Sequence, residues 1–111
     1  MVQVNLSDYK NIYLQTAKEY LEKISLSLNQ LSNNPLDKEA LNNLHIASHS
    51  LKSQSQVMGF INIAKISEII EKNSDDILSG ANQINNEFLI NLKDFINKLN
   101  LEFDQIEKGA A

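Results

Sequence analysis

"DKEALNNLHIASHSLKSQSQVMGF", residues Asp37 to Phe60, is the stretch that decides the fold. Ala40, Leu44, Ala47 and Leu51 return every three or four residues, the repeat of one face of an α-helix and not of a strand. Asp37 stands just before this run, where a carboxylate can accept a backbone N–H of the first turn, so it predicts an N-cap. Glycine costs about 1 kcal/mol in a helix interior, so Gly59 marks the turn into a following helix. Away from the apolar line the segment is small and polar. It carries serines at 48, 50, 53 and 55 and the only two histidines of the chain, His45 and His49.

Working outward, the same period continues on both sides. Ser7 is a candidate N-cap for a first helix whose stripe is Tyr13, Ala17, Tyr20, Leu21, Ile24, Leu28 and Leu31. "SNNP" at Ser32–Pro35 ends that helix, because proline disfavours helical geometry in the residue before it. A third helix carries Ile63, Ile66, Ile70 and Ile77, with Gly80 as its stop. A fourth runs from Asn86 to Ile106, with Phe88, Leu92, Phe95, Leu99 and Phe103 inward. Three glycines and one proline are too few for a turn-rich sheet fold. The expectation is all-α: an antiparallel four-helix bundle with short connections and room for an extra C-terminal helical extension.

At 111 residues the chain is the size of one domain, expected over 1–107, with 108–111 a frayed tail or appended remnant. Without cysteine, disulfides, thiolate metal sites and cysteine catalysis are excluded. The net charge is −4 and every positive charge is a lysine, which argues against a nucleic-acid partner. No apolar run approaches the roughly 20 residues of a membrane span, and "MVQVNLSDYK" lacks the pattern of a signal peptide. A cytoplasmic protein with protein partners and no membrane insertion fits this composition.

Each helical residue turns by about 100°. With His49 at zero, His45 falls at about −40°, Lys52 at about −60°, Ser53 at about +40° and Gln56 at about −20°. The apolar line lies between about 160° and 220°, so both histidines are expected on the solvent face. Histidines at i and i+4 can share zinc, but that site needs a third ligand, and in its protease form a glutamate where Ile46 stands. No serine is marked as a nucleophile, and no glycine-rich phosphate loop is present. Lys52 lies close enough to set a positive charge beside a group attached to the His49 ring. Ser53 and Gln56 leave room for a bulky partner.

"HSLKSQSQVMGF" resembles the histidine-phosphotransfer (HPt) motif, a phosphorylatable histidine followed by lysine three residues on and glycine ten residues on. His49, Lys52 and Gly59 match without gaps. Within that family the likeness runs furthest with the N-terminal phosphotransfer domains of chemotaxis sensor kinases of the CheA type, and it covers nearly the whole chain. The family's third helix places a glutamate beside the histidine ring, and Glu71 stands at that distance. A second family histidine is Glu68 here, and the family's glycines after the lysine are Ser53 and Gln54.

The resemblance implies a phosphorelay intermediate. His49 would be phosphorylated by an ATP- and Mg-dependent histidine kinase domain and would pass the phosphoryl group to a response-regulator receiver aspartate. Glu71 would orient the imidazole and Lys52 would offset phosphoryl charge. Partners would dock on the second-helix face flanked by the third helix, around Ser53, Gln56, Gly59 and Glu68. The domain itself would be a phosphocarrier without an ATP site, cofactor or metal, and His45 a bystander. The alternative is an HPt-like helical adaptor that binds signalling partners without being phosphorylated.

Overall fold

A computed structural model describes residues 6–109 of the protein. It contains α1 (Leu6–Asn33), α2 (Lys38–Met58), α3 (Ile61–Leu78) and α4 (Asn86–Glu107), with no strand among the described residues. α2 starts where expected: the Asp37 carboxylate accepts the Ala40 N–H at 3.0 Å. It stops at Gly59, whose φ of 78° is left-handed. The Gly59 and Phe60 N–H groups turn back to the carbonyls of Gln56 and Ser55. This two-bond cap satisfies carbonyls the helix would otherwise leave open. A Cβ at Gly59 would meet nothing, so backbone conformation alone favours glycine there. α4 opens on Asn85, which accepts the Phe88 N–H at 2.9 Å. Ser7, the expected N-cap, falls inside α1, which is already under way at Leu6. After α4, Lys108 and Gly109 form a turn, and no further helix follows among the described residues.

The connections are short: residues 34–37 join α1 to α2, and Gly59–Phe60 joins α2 to α3. Short links make successive helices antiparallel neighbours. Each helix touches the next and α4 returns to α1, while the diagonal pairs stay apart among the described residues. The 25 × 20 Å cross-section is that of two helices by two at an interaxial spacing of about 10 Å.

The core holds the expected Leu44, Leu51, Ile63, Ile70, Leu99 and Phe103, all almost fully buried. Phe88 and Phe95 face inward as expected but pack against the core from its edge. Both are half-buried, while Ile96 and Ile106 join the expected Leu92, Leu99 and Phe103 in its centre.

The most intimate pair is α2 with α3. Ser48, Ser67 and Ser74 are fully buried, and each hydroxyl donates to a carbonyl of its own helix: Leu44, Ile63 and Glu71 respectively. With its polar group satisfied locally, a buried serine packs like a very small residue. Small side chains at a contact let two helices approach closely. Part of the shortage of large residues in α2 is therefore packing, beyond the room left for partners.

Candidate functional site

His49 stands midway along α2 with its side chain 57% exposed. Across the close α2–α3 contact, the Glu71 carboxylate meets it at Nδ1. The other Glu71 oxygen accepts the Lys52 ammonium at 2.5 Å. Lys52 comes from the turn after His49, so one carboxylate bridges two neighbouring side chains of α2. Glu71 is only 15% exposed and Lys52 20%. The charges are thus held at the helix seam, while the imidazole projects beyond it.

Burial pushes the Glu71 carboxyl upward, but hydrogen bonds and charge from Lys52 and His49 outweigh it and hold it below the usual carboxylate range. Glu71 is therefore ionised near neutrality, and an ionised carboxylate can only accept. The proton of neutral His49 must then sit on Nδ1. That tautomer leaves Nε2 with its lone pair free, on a ring that is mostly in solvent.

His45 is the main departure from the sequence reading. It lies half-buried, with Nδ1 3.5 Å from the Ser74 hydroxyl of α3. The angle of about −40° given by helix geometry counts as solvent only when no helix packs close on that side.

The other expected site residues are spread around His49. Gln56 and Gly59 are exposed, Ser53 is half-buried, and Glu68 is exposed on α3. The α1 side of His49 differs in character. Tyr9, Ile12, Ser53 and Val57 line a groove of about 360 Å³, and Val57 is 87% exposed. The apolar surface continuous with Ser53 thus lies between α1 and α2, a side that helix spacing alone did not single out. The signal was present in Tyr9, Ile12 and Val57, which fall off the core stripes of their helices.

A bundle that grips one exposed imidazole by its inner nitrogen belongs to the class of small helical domains that present a histidine to other molecules. The Hpt domain family model matches residues 8–108, and the chain belongs to that family. It is a phosphocarrier domain of the histidine-phosphotransfer type. It is 24% identical over 107 residues to the chemotaxis protein CheA of Bacillus subtilis strain 168. That match takes in 96% of this chain but only 16% of the relative, so the chain spans about one-sixth of that protein's length. Among solved structures, the CheA phosphotransferase domain from Thermotoga maritima superposes with a TM-score of 0.88 at 26% identity, covering 93% of this chain and 98% of that one. A solution structure of a protein with a redesigned hydrophobic core shares the fold, with a TM-score of 0.83 at 21% identity over 97% of this chain and 96% of its own. No helix among the described residues is long and apolar enough to cross a membrane.

Proposed function

We propose that His49 is the phosphoacceptor of a phosphorelay, that Glu71 orients it, and that Lys52 offsets phosphoryl charge. The observation that carries this reading is the ionised Glu71 carboxylate on Nδ1 of an otherwise exposed ring. The Nε2 lone pair attacks the γ-phosphorus of ATP held with Mg by a kinase domain. The bond from phosphorus to the bridging oxygen breaks and ADP departs. The ring now carries positive charge, which the Glu71 carboxylate stabilises through the Nδ1 proton. In the second step a receiver aspartate oxygen attacks phosphorus, the P–N bond breaks and its electrons return to Nε2, restoring neutral imidazole.

Lys52 spends one of its three N–H donors on Glu71. Its remaining donors are available to the phosphoryl oxygens.

The relatives' names, a chemotaxis protein and a CheA phosphotransferase domain, support chemotaxis-type two-component signalling as the setting, and a cytoplasmic location is proposed with it. Both partners would cover Ser53, Gln56 and Gly59, reaching toward the α1–α2 groove on one side and Glu68 on the other. The apolar character of that groove supports docking there, because protein interfaces centre on apolar cores with polar rims.

The test is incubation with a cognate kinase and ATP, followed by mapping of acid-labile phosphate. Wild type should carry it on His49, and His49→Gln should carry none. His45→Gln should still be labelled at His49. Phosphate on His45 in the His49→Gln protein would overturn the assignment, and no label on wild type from any competent kinase would favour the adaptor reading.

A further inference from the structure

His45 makes a polar contact across the α2–α3 seam one turn below the His49 contact. Ser74 Oγ lies 2.8 Å from the Glu71 carbonyl, which can only accept, so the single hydroxyl proton is committed there. Toward His45, 3.5 Å away, the same oxygen must be the acceptor. His45 Nδ1 therefore carries a proton, and His45 and His49 share a tautomer for different reasons. Ser74 is fully buried, so nothing from solvent can replace that donor.

The consequence runs through Glu71. Ser74 sits three residues after Glu71 and holds its carbonyl, so the Glu71–Ser74 turn is one unit. Glu71 must meet His49 and Lys52 at once, and two partners on successive turns of α2 leave little freedom in the register of α3. A second polar tie, from His45 to the far end of the same turn, fixes that register from below.

From the seam geometry we infer that His45 and Ser74 form a positioning pair that holds Glu71 on His49, so that His45 is not a bystander. The inference rests on the reading of His49 as phosphoacceptor only for its effect on rate. The effect on the His49 ring is independent of that reading.

Nitrogen-15 NMR of the imidazoles in the unphosphorylated protein reads the ring directly. Wild-type His49 should show the Nδ1-protonated form. Ser74→Ala and His45→Phe should each move His49 toward a mixture of tautomers and slow its labelling about twofold, the lower end of the weight of one neutral hydrogen bond, as a 3.5 Å contact requires. The double variant should be no worse than either single one, because both remove the same tie. In His45→Asn an amide N–H sits near the place of Nδ1, and both readouts should recover. A purely structural role would lower melting temperature without moving the His49 spectrum. An unchanged His49 spectrum in both single variants, or additive effects in the double, would overturn the pair. A shifted spectrum in a protein that no kinase labels would leave the pair standing and remove the phosphoacceptor reading instead.

Discussion

The two histidines differ less in sequence than in what α3 sets against them. Both sit on the same side of α2, one turn apart, and each turns Nδ1 toward α3. His49 meets an ionised carboxylate shared with Lys52, whereas His45 meets a buried hydroxyl whose proton is already committed. A carboxylate can stabilise positive charge on the ring as a bond forms at Nε2, and a hydroxyl does so far less. Exposure points the same way, since His49 is mostly in solvent and His45 is half-buried. If His49 is the phosphoacceptor as proposed, the helix opposite singles it out, not the helix that carries both histidines.

The largest expected effect breaks the comparison outright: His49→Gln should abolish acid-labile label while His45→Gln retains it. Next is Glu71→Gln, which keeps the shape but makes the upper turn resemble the lower one. Losing a charge-assisted hydrogen bond of about 1.5–3 kcal/mol should slow labelling roughly tenfold to a hundredfold. Single-turnover labelling with saturating kinase measures this, and an unchanged rate would remove Glu71 from the mechanism. The same variant has a signature in stability. Because Glu71 is held below the usual carboxylate range in the folded protein, its contribution is present at neutral pH. As pH falls, the unfolded chain takes up that proton first, so the contribution drains away until the folded carboxyl also protonates. The gap in urea midpoint between wild type and Glu71→Gln should therefore narrow as pH falls through the carboxylate range. A gap that widens through that range would contradict the assigned direction.

A smaller effect is expected at Lys52. Lys52→Met removes one of the two groups that keep Glu71 ionised and one positive charge near the phosphoryl group, but leaves the bond to His49. Labelling should slow about threefold to tenfold, within the range of a single partly exposed charge contact. The Glu71 carboxyl should titrate closer to its ordinary range by carbon-13 NMR. If Lys52→Met slowed labelling more than Glu71→Gln, the lysine rather than the carboxylate would be the main support of the reaction.

The parts of this arrangement that are local are legible in the sequence. Asp37, Gly59 and Gly80 punctuate the helices by the chemistry of a few neighbouring atoms, and the apolar spacing then leaves little choice but a bundle. The helical angle of His49 and Lys52 is local as well. Glu71 is different. Only the family resemblance pointed to it, because its meeting with His49 depends on the register of two helices across the Gly59 turn. The His45–Ser74 tie was not legible for the same reason. A helical wheel has no second helix in it, and the slim serine seam brings α3 over a sector that the wheel assigns to solvent. On α4 the spacing placed Phe88 and Phe95 inward, and they do pack on the core, but their large rings cover its edge while Ile96 and Ile106 share its centre.

The smallest functional effect separates the fold from the site. Asp37 caps α2 two turns before His45 and three before His49. Asp37→Ala should cost about 1 kcal/mol, or roughly 4–8 °C in melting temperature for a domain of this size. The loss frays the first turn of α2, so hydrogen exchange should quicken from the helix start toward His45 before it reaches His49. Below the melting transition the labelling rate of His49 should not change, because the Glu71 contact lies beyond the frayed turn. The structure also ties the two ends: if fraying did reach His45, its hold on Ser74 would weaken, and the His49 ring spectrum would report it. Faster exchange confined to the first turn, with an unmoved His49 spectrum, is the expected outcome. Slower labelling in the folded Asp37→Ala protein would mean that the cap and the upper turn are one cooperative unit, and the contrast between the two histidines would then belong to the whole helix.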